Sequence, residues 1–439
     1  MCGRKMRSMS FLVFVLLLAS SFIGCGDQGS SPSGTPSPPP TGSWRGTQQF
    51  GTPFNDIGQG IARDSSANIY ITGSTGGSLD NNTSSGQLDI FLTKFDSTGN
   101  KLFTRQIGTP FNDIGYAIAV DGSGNVYITG STGGSFPGNL SAGQLDVFLA
   151  KFDSSGRLLF IQQFGTAFND IGYGIALDSS GNVFITGSTN GSLPGNLSAG
   201  LNDVFLAKID PLGNLTIRQF GTPFEDIGYG VALDSGGNAF ITGTTGGSLP
   251  GNLSAGQMDI FLARLDPTGN LAIRQFGTAF EDISYAVALD GSGNVYITGT
   301  TGGSLDGNTS LGRSDVFLTK FDPNGIKLGS RQLGTTGDDT GFGLAIDSSG
   351  NVYITGSAGG ITGTSVFSEI FLAKVDSSGI FLFLQLLATP FIDIGYGVAV
   401  DSSANAFITG STDGNLDGNI SAGLSDIFLA KFNSAGVKQ

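Results

Sequence analysis

The chain has 439 residues, of which 39% are hydrophobic, 10% aromatic and only 13% charged, with 72 glycines and no histidine. The missing histidine excludes Ser-His-Asp and Cys-His catalysis, imidazole bases and His-ligated metals. A net charge of −14 repels phosphate backbones and sets nucleic acid aside as a partner, and with both cysteines (Cys2 and Cys25) near the N-terminus the folded part holds no disulfide and no thiol nucleophile.

In chain order, residues 1–24 read as a signal. Arg4, Lys5 and Arg7 precede a short apolar run from Phe11 to Ala19, and small residues follow up to Cys25. The Phe22-Ile23-Gly24-Cys25 stretch resembles the lipobox of bacterial lipoproteins, with Phe22 in place of the usual Leu. That resemblance implies lipidation at Cys25 and placement in the cell envelope, on the outer membrane or cell surface. The other reading is an ordinary secretory signal. Residues 25–42 then form a Pro/Ser/Gly-rich tether with too little apolar matter for a core.

Residues 43–439 repeat a phrase close to GTPFNDIGYG, beginning at 51, 108, 165, 221, 277, 334 and 388. The steps are 57, 57, 56, 56, 57 and 54 residues, a period that points to a propeller or a solenoid. Within one period, Gly172–Asp178 reads as strand A, Val183–Thr189 as strand B, Asp203–Asp210 as strand C and Leu215–Phe220 as strand D. Turns join A to B and C to D, and a polar loop joins B to C. Four antiparallel strands seven times over predict an all-β, seven-bladed β-propeller. The last copy ends where its strand D is due, and Trp44–Phe50 matches Leu159–Phe164, so the N-terminal segment is expected to close blade seven. Strand A is expected to alternate, with Tyr116, Ile118 and Val120 on one face and Gly115, Ala117 and Ala119 on the other.

The pattern IALDSSGNVFITG (Ile175–Gly187) with DVFLAKFDSSG (Asp146–Gly156) resembles the bacterial SBBP-type β-propeller repeat over essentially all of residues 44–439. The resemblance implies a seven-bladed propeller, often on secreted or surface lipoproteins, and no shared enzyme activity or ligand.

Each phrase carries an aspartate: Asp56, Asp113, Asp170, Asp226, Asp282, Asp339 and Asp393. Three places on stand Gln59, Tyr116, Tyr173, Tyr229, Tyr285, Phe342 and Tyr396. A carboxylate and aromatic ring at the channel mouth would suit a cation or a sugar. A feature present in every blade is better explained as blade maintenance, with the aspartates binding turn N–H groups. Asp64, Asp121, Asp178, Asp234, Asp290, Asp347 and Asp401 open Asx-type turns. Calcium is conceivable there, but the alternating carboxylates of an EF-hand loop are lacking, so no metal site or cofactor is expected. The strand-C cations, such as Lys94, Lys151 and Lys374, are expected to pair with acids or to snorkel. Asn139, Asn196 and Asn252 match glycosylation sequons and read as loop chemistry.

Blade six departs from the others. Its phrase loses the Phe and gains a second acid, Asp338 beside Asp339. Glu369 follows Gly356 by 13 positions where the other blades use 16, and its loop, Ala358–Ser368, brings Val366 and Phe367. If one sector binds a ligand, Asp338, Asp339, Phe342, Val366 and Phe367 are the candidates; repeat drift is the competing explanation. The expected protein is a monomeric, non-enzymatic, membrane-anchored scaffold whose rim meets a protein or a glycan. The alternatives are a carboxylate-based polysaccharide hydrolase or lyase, and a purely structural envelope protein.

Overall fold

The computed structural model describes residues 44–359 and 367–439. The expected signal, Cys25, the tether and Val366 lie outside the described residues. The described chain forms seven separate four-stranded antiparallel sheets, each taken in chain order from strand A to strand D in blades one to six. This is the expected seven-bladed propeller.

Blade three shows why the strands fall where they do. Strands B (Val183–Thr189) and D (Leu215–Phe220) have the expected bounds. Strand A starts earlier than expected, at Asp170, and ends at Leu177. The Asp170 N–H donates to the Leu145 carbonyl of the preceding blade at 2.8 Å, so the chain is already fixed in extended form there. Strand C ends at Ile209 rather than Asp210. The Asp210 carboxylate accepts the N–H groups of Leu212 and Asn214, both at 2.9 Å, which turns the chain.

The ring closes through its two ends. Gln48, Gln49 and Phe50 pair with Leu429, Phe428 and Ile427, and the seventh sheet runs from this segment inward. The closing strand is shorter than the expected Trp44–Phe50, because Lys438 already bridges to Phe432 and supplies the first rung. The outer strand of blade seven is therefore built from both termini. Trp44 remains part of the closure, packed edge-on against Phe407 with ring centroids 5.6 Å apart. Arg45 N–H donates to Thr98 O in the first C–D turn, so the chain enters the propeller on the face of the A–B and C–D turns.

Strand A does not alternate as expected. Gly115 pairs with Gly130 and Ala117 with Thr129, leaving Tyr116 as the extra residue of a bulge. The bulge resets the pleat. A Cβ on Gly115 would meet Thr72 Oγ1 of the preceding blade, so Gly115 shares the face of Ile118, opposite Ala117. The same register shift recurs in strand A of all seven blades.

The core lies in the seams between blades. Tyr70, Ile90 and Leu92 of blade one pack with Val126, Ile128 and Phe148 of blade two in one buried cluster, and the other seams repeat the arrangement. Among the described residues, six of the B–C loops each add one buried apolar side chain to a seam: Leu79, Phe136, Leu193, Leu249, Leu305 and Leu416. Burying each contributes roughly 2 kcal/mol.

Candidate binding face

The phrase aspartates lie inside the seams. All seven are fully buried or nearly so. Thr109 N–H and Oγ1 donate to Asp113 Oδ2 at 2.5 and 2.8 Å, and Thr132 Oγ1 donates to its other oxygen. Burial raises the Asp113 carboxyl above the usual range, these hydrogen bonds oppose that, and Asp89 adds to it. Asp56, Asp170, Asp226, Asp282, Asp339 and Asp393 are raised for the same leading reason.

A second buried acid begins strand C and faces the first glycine of the following phrase. Gln163 Nε2 and Ala142 N–H donate to Asp146 Oδ2 at 2.8 and 2.9 Å. A Cβ on Gly165 would stand 2.2 Å from Asp146 Oδ1, and one on Gly108 would stand 1.9 Å from Asp89 Oδ1. Only glycine fits against that aspartate. Ala388 is the exception in the seven phrases, and the acid ahead of it is Glu369, not Asp. The longer side chain and the added methyl occur together.

The aromatic residues of strand A do form a collar. Tyr116, Tyr173, Tyr229, Tyr285, Phe342 and Tyr396 follow one another with ring centroids 5.0 to 5.2 Å apart. Gln59 takes the seventh place. An axial cavity of about 230 Å³ beside the collar is lined by Gln59 and by aliphatic side chains such as Ile61, Ile118 and Leu344. Burial pushes Tyr173 up to about 12, so its hydroxyl stays neutral at physiological pH. The carboxylates are not part of this surface, which separates the two rings that the sequence set side by side.

The turn aspartates are held by their own turns. Asp121 Oδ1 accepts from the N–H groups of Ser123 and Asn125, both at 2.9 Å. Burial would raise Asp121, but the Asn125 side chain and these N–H groups together hold it below the usual value. The strand-C lysines lie over aromatic rings: Lys94 Nζ stands 5.0 Å from the Tyr70 ring centre and Lys151 Nζ 4.8 Å from that of Tyr127. Lys374 also approaches Asp347, at 3.7 Å. Among the described residues, no three His, Cys, Asp or Glu side chains gather as a metal cluster.

The sequon asparagines fold down over the outer strand. Asn139 Oδ1 accepts from Gln163 N–H at 2.9 Å, and its Nδ2 donates to Ile161 O at 3.1 Å. The amide thus takes the place of a neighbouring strand on an otherwise open edge. Asn196 and Asn252 do the same, and Asn82, Asn308 and Asn419 donate to the matching carbonyls. A glutamine on strand D completes the seat: Gln219 Oε1 accepts from Leu193 N–H at 3.0 Å while its Nε2 donates to Asp203 at 2.7 Å.

With the loops held this way, the face they share with the phrases is strongly apolar. Phe54, Phe111, Phe168, Phe224, Phe280 and Phe391 are each between 52% and 56% exposed. In blades one, two, four and five the ring lies on a Gly-Gly pair; a Cβ on Gly77 would stand 3.0 Å from Phe54 Cδ2. Leu140, Leu197, Leu253 and Ile420 rise at the loop tips and are 86% to 88% exposed. So many exposed apolar groups on one face are unusual for a free surface. Charge on this face is uneven. Blades four, five and six carry exposed Glu225, Glu281 and Asp338 where blades one to three carry Asn55, Asn112 and Asn169. Glu281 and Asp338 share a cavity of about 350 Å³ with Phe280, Gln257 and Arg313. The Asn-to-Glu change in two consecutive phrases, next to the Asp338 already singled out, was readable in the sequence and was missed there.

The blade-six candidates do not form one site. Asp338 is exposed in that cavity, with Ser314 Oγ 3.5 Å away. Asp339 is buried and accepts Thr335 N–H at 2.6 Å and Gly359 N–H at 3.1 Å. Phe342 belongs to the axial collar, and Phe367 is 41% exposed. Ala358, Gly359 and Ser368 lie in strands rather than in the expected loop, because strands B and C of this blade add a rung, Gly359 opposite Ser368.

The chain is 24% identical over 422 residues to the regulatory protein FlaEY of Caulobacter vibrioides, covering 80% of this chain and 43% of that protein. It is 23% identical to an uncharacterized WD repeat-containing protein, L264, of Acanthamoeba polyphaga mimivirus, covering 78% of this chain and 32% of that one. The chain therefore spans less than half the length of either relative. Among solved structures, a puromycin hydrolase superposes with a TM-score of 0.52 at 13% identity, covering 88% of this chain and 53% of that one, a likeness of fold alone. The family described as SBBP, β-propeller repeat, matches residues 46–80, 102–137, 159–194, 217–250, 273–306, 329–361 and 383–417. One match in each of seven blades, on a closed ring of seven such blades, makes this chain a member of the SBBP β-propeller repeat family.

Proposed function

We propose that this propeller is a non-enzymatic binding scaffold, tethered to the cell envelope through lipidated Cys25, and that the face of B–C loops and phrases meets a protein or glycan partner. The observation that carries the reading is the double array of exposed Phe rings and Leu or Ile loop tips on that one face. Arg45, among the first described residues, bonds to the first C–D turn on the opposite face.

The cavity holding Glu281 and Asp338 favours a second reading, a carboxylate-based polysaccharide hydrolase or lyase. The buried, hydrogen-bonded Asp339 supplies no free partner for Asp338, which weighs against it.

Purified protein on immobilised envelope glycans and envelope proteins separates these readings. Binding without turnover, lost in a Phe224→Ser/Phe280→Ser variant, is the expected result. Depletion of a polysaccharide, abolished by Asp338→Asn, would replace the scaffold with an enzyme. Lipidation has its own test: Cys25→Ser should release the protein from the membrane fraction.

A further inference from the structure

We propose, resting on the scaffold reading of this face, that the partner is a protein and that blades four to six receive a basic segment of it. An arginine or lysine lies over the Phe280 ring between Glu281 and Asp338, and its aliphatic or aromatic neighbours cover the apolar groups around that seat.

Sorted by what they hold, the acids single out this sector. The phrase aspartates and the acids that begin strand C hold the seams, as Asp113 and Asp146 do. The turn aspartates hold their own turns, as Asp121 and Asp210 do. Asp80, Asp306 and Asp417 of the B–C loops pair with Lys101, Lys327 and Lys438 on the outer edge. Asp413 accepts from Ser425 Oγ. Among the described residues, three acids are left over. The carboxylates of Glu225 and Glu281 accept no hydrogen bond and form no ion pair, and Asp338 has only Ser314 Oγ at 3.5 Å. All three stand at the same position of successive phrases, where blades one to three have Asn55, Asn112 and Asn169 and blade seven has Ile392. The blade needs no acid there, so these charges are available to a partner.

The seat between Glu281 and Asp338 suits an organic cation. Phe280 lines their cavity of about 350 Å³ and is 56% exposed. Blade six has Gly337 where the other phrases have Phe, so no ring stands beside Asp338 as Phe280 stands beside Glu281. A guanidinium or ammonium placed there meets a ring face and two carboxylates. Arg313, on the same cavity, opposes them with one charge against two and forms no ion pair among the described residues. A calcium ion would need more oxygen donors than two side chains supply. Phe224, Leu253 and Leu311, on the phrase and loops of the same blades, are 45% to 86% exposed. Covering them takes an apolar companion to the cation, which a polypeptide carries on neighbouring side chains and a small amine lacks. A neutral glycan would leave the carboxylates unmatched, and an anionic glycan or lipid would be repelled.

The probe is a dye-labelled peptide of repeating Gly-Leu-Arg-Ser units, titrated with the full chain by anisotropy beside matched peptides with Gln or Glu in place of Arg. Saturable binding of the Arg peptide alone is expected. Glu281→Gln with Asp338→Asn should weaken it about tenfold, and Phe280→Ser, which changes no charge, about fivefold. Arg313→Gln should tighten it. Weakening by the charge variant but not by Phe280→Ser would reduce the binding to the pull of a net charge of −14 and overturn the proposal. So would equal binding of the Gln or Glu peptide, or a weaker complex with Arg313→Gln, which would mean that the partner brings an acid. No binding of the Arg peptide, while envelope proteins still bind in a way that Phe224→Ser/Phe280→Ser abolishes, overturns the basic partner and leaves the scaffold reading standing. Failure of both removes the scaffold as well.

Discussion

Blade six and blade three are made of the same four strands and differ at the strand positions that, in blade three, hold the loop between the second and third. Blade three has Leu193 in the seam, Asn196 on the edge, Gln219 between them, Asp203 beneath, and Gly221 packed against that aspartate. Blade six has Leu386 for the glutamine, Glu369 for the aspartate, Ala358 for the strand-B threonine and Ala388 for the glycine. In blade three these positions meet at one carboxylate, with Gln219 and Gly221 both against Asp203. The comparison teaches that the repeat is a loop-holding device as much as a strand pattern, and that a blade can change the strand residues of that device and keep its sheet.

The most direct way to break the contrast is to turn blade three toward blade six. Leu193→Ala removes a buried side chain from a packed seam and should cost about 3 kcal/mol in urea unfolding. A cost below about 1 kcal/mol would mean that the seam does not depend on its loop. The steric half of the device comes next. Gly108→Ala sets a methyl 1.9 Å from Asp89 Oδ1 and should cost about 2 kcal/mol. Adding Asp89→Glu should recover part of that loss, as Ala388 with Glu369 suggests, and Ala388→Gly alone should cost less than about 1 kcal/mol. No recovery in the double variant would show the blade-six pairing to be coincidence.

How much of this was legible in the sequence follows from which contacts are local. Period, strands B and D, and ring closure were readable, because alternating β-branched residues and Asx turns act within a few residues. The bulge at Tyr116 was not, since it is set by pairing with Gly130 and Thr129 in the next strand. Nor was the role of Asn139, whose partners lie 22 and 24 residues away on strand D. The shared terminal strand was half-read: the N-terminal part showed as a copy of Leu159–Phe164, while the last copy was read as ending where strand D is due, without the Lys438 rung. Among the candidate site residues, Asp338 and Asp339 were chosen as neighbours, and the strand register sends one to solvent and the other into the seam.

A smaller effect sharpens the account of the seams through pH. The seven phrase aspartates sit above the ordinary carboxylate value chiefly because they are buried. The folded chain then binds more protons than the unfolded one between that ordinary value and the raised one. Stability should therefore rise as pH falls from neutral toward about 4. Asp121, Asp178 and Asp290 are held below the ordinary value, so their contribution is lost only on further acidification. Urea midpoints across pH 7 to 3 should pass through a maximum near 4, and a steady fall from pH 7 would contradict the seam assignment. The least effect is expected at the face. Phe280→Ser should leave stability within about 0.5 kcal/mol, as for an exposed group outside any network.

Amide hydrogen exchange on the full chain tests most directly whether the loop asparagines cap the outer strands. The Gln163, Gln219 and Gln275 amides, which donate to Asn139, Asn196 and Asn252, should exchange slowly, and Asn196→Ala should make Gln219 exchange far faster while Gln163 and Gln275 stay protected. Unchanged exchange at Gln219 would contradict it.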